Sequence, residues 1–422
     1  MTSRKHLLIA MGVTGLLACI AYLPALGLPF ISDDYLQIAH GRKFGPMSGW
    51  GNLATDALYR TRATSMPLTY WLEKAAGLSP LAFNVVSLAL HVLNTWLVLA
   101  LGIWKPIGWR VSTVAAGFFA VYEGHQEAVV WFAAVPELLV FFFGLASLVM
   151  WLLWLERDCR GWVLPSAAGG AFLLALLSKE SGVVMPAVFL VTAALHMERW
   201  RRIAAATLPM LAVSALYTAA SFAGKAEHQH FHDGTFSVTA PVWVTLANSI
   251  GRMFWFWGLL SLVAIAGLRP ARWKLLVPAS AVWVVITFLP YSFIAYMPRV
   301  PSRHTYLASA GLALIAGLAF MAVAERRRWG ITAALSAGLV LHNVGYLWTK
   351  KQRQYLARAE PTEELVRAGR SHNGAIVVRC FPYSQEIALR TLEVGANRDP
   401  ETVFFEEASD QPAADFCYDR MP

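Results

Sequence analysis

Long apolar stretches separated by short polar ones make up most of the chain. Eleven such stretches recur, near residues 7–27, 82–104, 110–122, 138–155, 162–178, 181–197, 203–222, 253–268, 274–293, 305–324 and 330–349. A helix rises about 1.5 Å per residue, so about 20 apolar residues cross a hydrocarbon core about 30 Å thick. The pattern predicts an all-α polytopic membrane protein with about eleven transmembrane helices. Two segments are longer than a connection or a crossing requires. Within 29–81, Pro67 opens a stretch whose Leu68, Trp71, Leu72, Ala75 and Ala76 recur at helical spacing opposite Thr69, Glu73 and Lys74, which predicts an interfacial helix in the first outer loop. Residues Val242 to Arg252 predict a second surface helix ahead of the eighth span. From about residue 350 the pattern changes. Charged sequence runs through Ala375-Ile376-Val377-Val378, a helical stretch from Ser384 to Val394, and Val403-Phe404-Phe405, which predicts a small strand-helix-strand unit. The expected organisation is a membrane module over 1–349 and a small α/β domain over 350–422.

Composition agrees: 57% of residues are hydrophobic and only 14% charged, which excludes an ordinary soluble domain. The net charge of +9 raises the question of nucleic acid, but the Lys and Arg residues occur in small groups between apolar stretches, as topology determinants do. One set of alternate loops carries Arg4, Lys5, Lys105, Arg110, Arg157, Arg160, Arg199, Arg201, Arg202, Arg269, Arg272, Lys274 and the run 326–328; the other set is poorer in basic residues. The positive-inside rule makes the first set cytoplasmic. Residues 7–28 are long enough to span and lack a small-residue cleavage site, so they read as a retained first helix. An odd number of spans then sends the tail outward, where a Cys380–Cys417 disulfide fits an oxidising compartment; two reduced thiols are the alternative. Short loops and a compact tail suggest a bacterial inner membrane, with the working face periplasmic.

The polar residues of the outer face gather in a few places. Asp33-Asp34 follows the first span, Glu123, His125 and Glu127 follow the third, Lys179-Glu180 lies between the fifth and sixth, Arg252 enters the eighth, and Arg303-His304-Thr305-Tyr306 opens the tenth. A transporter places ionisable residues near the bilayer midplane, whereas here the span centres are almost free of charge. Two carboxylates and several cations on one face suit transfer from a lipid-phosphate donor: a carboxylate takes the proton of an incoming hydroxyl while Arg or Lys holds the leaving phosphate. Each group also has a plainer reading. Asp33-Asp34 could cap a helix, Lys179 and Glu180 could neutralise each other, and Arg303 could snorkel from a helix end. Glu123, His125 and Glu127 have the ligand types of a divalent metal, but acceptor orientation is the preferred reading, and no cofactor is firmly implied. His228, His230 and His232 alternate as zinc ligands can, and read better as an outer loop. Asn84, Ser87, His91 and Asn94 form a polar stripe that predicts hydrogen bonds between helices.

Taken together, Asp33-Asp34, Met66-Pro67-Leu68 with Phe83-Asn84 and His91, Gly124-His125-Gln126-Glu127-Ala128-Val129, Leu177-Ser178-Lys179-Glu180 with Pro186, and Ser302-Arg303-His304-Thr305-Tyr306-Leu307 resemble the GT-C glycosyltransferases that use polyprenyl-phosphate sugars. The similarity is to the protein O-mannosyltransferase branch, including the transmembrane O-mannosyltransferases. That branch often carries Arg-Pro-Leu where this chain has Met66-Pro67-Leu68. The resemblance implies an inverting transferase that moves a monosaccharide from a polyprenyl phosphate to a hydroxyl of a protein, glycan or lipid, with Asp33 or Asp34 as base. Arg303, Lys179 and Arg252 are the candidates for donor phosphate, and Glu123, His125, Glu127, Glu180, His304 and Tyr306 for acceptor or pocket. A transporter or flippase of lipid-linked saccharide is the alternative, and a membrane scaffold acting through its tail is a third reading.

Overall fold

The computed structural model describes residues 4–223, 235–237, 239–295, 298–326, 328–372, 374–405 and 413–418. In chain order the main helices are α1 (Arg4–Tyr22), α2 (Asp34–Phe44), α3 (Ser65–Ala76), α4 (Pro80–Ala100), α5 (Gly108–Val121), α6 (Val135–Glu156), α7 (Val163–Ser178) and α8 (Met185–Ala193). They continue as α9 (Trp200–Ala223), α10 (Val242–Phe254), α11 (Trp257–Leu268), α12 (Trp273–Phe288), α13 (Ser309–Glu325), α14 (Trp329–Ser371) and α15 (Gln385–Arg390). Each apolar stretch of the sequence falls on one of these helices. Among the described residues, six helical segments are long and apolar enough to cross a membrane, or seven if α10 and α11, bent by 76°, count as one span.

The bundle is assembled around α13, which is buried on nearly every face and packs against α5, α11 and α12. Small residues permit the approach: a Cβ at Gly317 would meet the Val111 carbonyl oxygen at 2.6 Å. Three of the four residues in the polar stripe of α4 do what its spacing predicts, while the Ser87 hydroxyl is buried without a hydrogen-bond partner among the described residues. Asn84 Nδ2 donates to the carbonyls of Ala25 (2.9 Å) and Leu28 (3.1 Å), and Asn94 Nδ2 to that of Leu138 (3.0 Å). His91 bonds the Tyr306 hydroxyl at 2.7 Å and the Ala120 carbonyl at 3.1 Å.

The segment between α1 and α4 folds into a platform. α2 lies against α3, joined by Gln37 Nε2 donating to Thr69 Oγ1 (3.0 Å) and by the Arg42–Glu73 ion pair (2.6 Å). The helix expected after Pro67 is α3, with Trp71 exposed on it, and the expected surface helix at 242–252 is α10.

The long helix α14 passes residue 350 without a break, so the membrane bundle and the tail share it. Beyond it, β1 (Ala375–Arg379) pairs in parallel with β2 (Val403–Phe404) and β3 (Ala413–Cys417), in the order β2-β1-β3. β1, α15 and β2 match the expected strand-helix-strand unit; β3 is an additional strand. Ile376, Val378, Leu392 and Phe416 pack with Leu365 of α14 into a small core, and Cys380 is disulfide-bonded to Cys417. The unit docks onto the platform through Val366 and Val394, which pack with Phe30, Tyr35 and Phe132.

Candidate active site

The aspartate pair sits in a tight turn. Ser32 takes a φ of 40°, Asp33 occupies the N-cap of α2, and Asp34 begins the helix. The two carboxylates are used differently. Asp34 is buried, and both its oxygens accept backbone N–H groups, Oδ2 from Ile31 (2.8 Å) and Oδ1 from Ala133 (2.7 Å). Trp131 Nε1 donates to the Ile31 carbonyl (3.1 Å), so the turn is fixed to the 131–134 loop from two directions. Asp33 is half-buried and lines a cleft of about 270 Å³. Burial pushes the Asp33 carboxyl above the usual range, against the pull of Arg303 and Arg358. Burial pushes Asp34 up to about 7, against its two backbone N–H donors.

Across the cleft lies a buried charge network. Glu137, in the first turn of α6, accepts from Lys179 Nζ and from His304 Nδ1 through Oε1, and from the Tyr291 hydroxyl through Oε2 (2.7 Å). The Tyr291 ring stacks on His304 with centroids 4.5 Å apart. Burial, reinforced by Lys179, pushes His304 down to about 3, so the imidazole is neutral. Burial lowers Lys179 as well, opposed by Glu137. Next to this network Glu180 pairs with Arg62 at 2.7 Å.

At the Asp33 end, the guanidinium groups of Arg303 and Arg358 lie over the Trp131 ring at 5.0 and 4.6 Å. Glu127 stands 3.9 Å from each and accepts the Arg303 backbone N–H at 3.1 Å. Burial would raise the Glu127 carboxyl, but Arg303 and Arg358 hold it below its ordinary value. The cleft is thus lined by Asp33 together with Arg303, Lys179, Glu137 and a neutral His304, with Glu180, His40 and Glu386 also on its walls.

The structure therefore unites Asp33, Lys179, Glu180, Arg303 and His304, and holds Asp34 and Glu127 immediately behind them. Four of the expected residues lie elsewhere. His125 and Tyr306 are fully buried in an aromatic cluster with His91, Phe119 and Phe141, where His125 Nε2 bonds Ser309 Oγ at 2.7 Å. A neutral imidazole and a phenol with such partners are core groups, not pocket walls. Glu123 and Arg252 meet at a separate place beside Lys351 and His342 of α14, where burial raises the Glu123 carboxyl against the pull of Arg252. Among the described residues no three His, Cys, Asp or Glu side chains are grouped as metal ligands. His228, His230 and His232 lie outside the described residues.

Sequence reasoning passed over Glu137, Arg62 and Arg358. Glu137 reads as the edge of an apolar run and Arg62 as a topology charge. Arg358 has one recoverable signal: Lys351, Tyr355 and Arg358 share one face of a helix at spacings of four and three.

No family model matches the chain. In sequence, 184 residues, or 40% of the chain, are 27% identical to the protein O-mannosyl-transferase F38B6.6 of Caenorhabditis elegans. A second alignment, of 210 residues or 44% of the chain, is 27% identical to the protein O-mannosyl-transferase TMTC1 of Mus musculus. These alignments cover 25% and 22% of the two relatives, so the chain spans about a quarter of their length. In structure, 95% of the chain superposes on 90% of ArnT from Cupriavidus metallidurans bound to undecaprenyl phosphate, with a TM-score of 0.55 and 14% identity. The apo oligosaccharyltransferase of Archaeoglobus fulgidus matches with a TM-score of 0.55 and 12% identity over 94% of this chain and 64% of that one. The chain has the GT-C fold that its motifs imply, and its similarity in sequence is to protein O-mannosyltransferases.

Proposed function

We propose that the protein is an inverting glycosyltransferase which moves a monosaccharide from a polyprenyl-phosphate donor to a hydroxyl of a protein, glycan or lipid. The observation that carries this reading is the position of Asp33, which lines the cleft under the pull of Arg303 and Arg358, whereas Glu137 and Glu180 are held in ion pairs with Lys179 and Arg62. In the proposed step the Asp33 carboxylate takes the acceptor hydroxyl proton. The acceptor oxygen attacks the anomeric carbon from the face opposite the phosphate, and the carbon–oxygen bond to phosphate breaks with its electron pair leaving on the phosphate. Arg303 and Arg358 offer planar forks that match phosphate oxygens, and Lys179 adds a point charge. Asp34 acts through position, by fixing the turn that aims Asp33.

A lipid carrier suits the surroundings. Glu180 and Phe236 line both the cleft and an apolar groove of about 260 Å³ whose walls include Val183, Tyr217, Leu289 and Phe293. A charged headgroup in the cleft and a prenyl chain in the groove would share that junction, and the structural neighbour ArnT carries undecaprenyl phosphate. The distribution of basic residues supports an eleven-span topology with this cleft and the disulfide-bonded tail on the outer face of the membrane. Purified protein given a panel of polyprenyl-phosphate sugars tests the reading. One sugar donor is consumed by the wild type and not by Asp33→Asn; consumption of none, or equal consumption by the variant, rejects it.

A further inference from the structure

Arg303 and His304 are neighbours in the chain and both line the cleft, yet they offer it opposite chemistry. The Arg303 guanidinium brings only donors. His304 is fixed from behind: its Nδ1 bonds Glu137 Oε1, the same oxygen that Lys179 Nζ reaches, and Nζ stands 3.4 Å from Nδ1. A carboxylate paired with an ammonium group has no proton to give, so the proton of the Glu137–His304 bond belongs to Nδ1. The Tyr291 ring, stacked on the imidazole, holds it in this orientation.

Nε2 is then left with a lone pair. It has no hydrogen-bond partner among the described residues, and it is not sealed inside the protein as the unpaired Nδ1 of His125 is. Burial and the charges of Lys179 and Arg303 oppose its protonation, so it stays an acceptor. Neighbouring acceptors are already engaged, Glu137 with Lys179, His304 and Tyr291, and Glu180 with Arg62. A phosphate does not answer this lone pair. The phosphodiester of a sugar donor carries no proton, and a phosphate monoester, with a second pKa of about 6, carries little at neutral pH, so either would set oxygen lone pairs against the nitrogen. A neutral hydroxyl answers it, and a sugar presents several. His304 also lies on the side where the donor's chain would enter: its neighbour Lys179 adjoins Glu180, where the cleft meets the apolar groove.

We propose that His304 is a specificity-determining residue, its Nε2 accepting a hydrogen bond from one hydroxyl of the donor's sugar, while Glu137 fixes the tautomer that makes it an acceptor. This role rests on the glycosyl-transfer reading of the cleft and divides the labour within it. Arg303 and Arg358 take the phosphate, and the Glu137–His304 pair reads the sugar. The ligand is a polyprenyl phosphate whose sugar keeps a free hydroxyl at that place.

The test uses the full-length protein in detergent with no acceptor present, and counts retained lipid by native mass spectrometry. The lipids are undecaprenyl phosphate and its mannosyl, glucosyl and arabinosyl esters. The wild type holds at least one sugar ester more tightly than the bare phosphate. His304→Asn and His304→Gln then separate recognition from support, because the Asn amide reaches only the place of Nδ1 whereas the Gln amide reaches that of Nε2. His304→Asn keeps a donor for Glu137 but loses about three- to tenfold of the preference for the sugar ester, the worth of one hydrogen bond, and still holds the bare phosphate as the wild type does. His304→Gln recovers most of the preference. Rescue by Asn and not by Gln, an unchanged preference in His304→Asn, or a matching loss for the bare phosphate overturns the proposal. If neither variant folds, the wild type decides with deoxy and fluoro analogues of the preferred ester. At one position fluorine, which cannot donate, costs as much as hydrogen; the absence of any such position rejects the proposal. Equal retention of the sugar esters and the bare phosphate rejects the hydroxyl site alone, whereas retention of none of the lipids removes the transferase reading with it.

Discussion

The cleft and the closed aromatic core beside it are built from the same two chain segments, yet they use polar residues in opposite ways. The 123–131 segment sends Glu127 and Trp131 to the guanidinium pair at the cleft and His125 into the core. The 302–306 segment sends Arg303 and His304 to the cleft and Tyr306 into the core. In the core neutral polar groups bond to neutral partners, such as His91 to Tyr306 or His125 to Ser309. At the cleft the charged groups come in opposed sets, and Asp33 lines the space under the pull of Arg303 and Arg358. Residues adjacent in a motif are therefore not adjacent in place: helical and turn geometry divides each motif between the cleft wall and the core that supports it.

The sharpest way to break this contrast is at Asp33. Asp33→Asn is expected to lower kcat/KM by about 10²–10⁴, the usual worth of a general base, with little change in melting temperature. A matching loss in thermal stability would place Asp33 with the support instead. Because the base works ionised and burial raises its carboxyl, kcat/KM should fall as pH drops, with a midpoint above the ordinary aspartate value of about 3.9; a flat acid limb would remove Asp33 from the step. Next comes the floor of the cleft. Glu137→Ala leaves Lys179 buried without its counter-charge and should cost about 3–5 kcal/mol of stability by thermal or denaturant melts. Combining it with Lys179→Met should recover much of that loss, whereas additive losses would argue against a coupled pair.

Asp34→Asn should cost about 1–3 kcal/mol, since its amide nitrogen cannot accept one of the two backbone N–H groups that the carboxylate now serves. Its melting temperature should drop, unlike that of Asp33→Asn. The smallest effect is expected in the core. His125→Phe, a swap of similar volume among aromatic neighbours, should change stability by less than about 1.5 kcal/mol and leave transfer intact. A large loss of transfer there would erase the distinction between the two regions.

Much of the fold could be read from the chain because its signals are local. Apolar length and periodicity mark the helices, Pro67 lies in the first turn of α3, and the Ile376-Val377-Val378 run marks β1. β3 escaped because Ala413-Ala414-Asp415-Phe416-Cys417 carries little β-branched or alternating pattern of its own, and only pairing with β1 makes it a strand. The candidate site was half legible. Asp33, Lys179, Arg303 and His304 could be named from their clustering at span ends, but nothing local distinguished Asp33 from Asp34. That distinction rests on the Ala133 N–H, 99 residues away.

By itself the sequence determined the apolar lengths, the alternation of basic loops and the placement of acids and bases at the ends of the spans, because each depends on residues within a few turns of one another. Only the tertiary structure decided which charge answers which: Glu137 with Lys179, Arg62 with Glu180, Arg303 and Arg358 with Glu127. The physical reason is the range of the forces. Burying a charge is tolerable only with an opposite charge or hydrogen-bond donor within a few ångströms, and the packing of helices distant in sequence sets that distance.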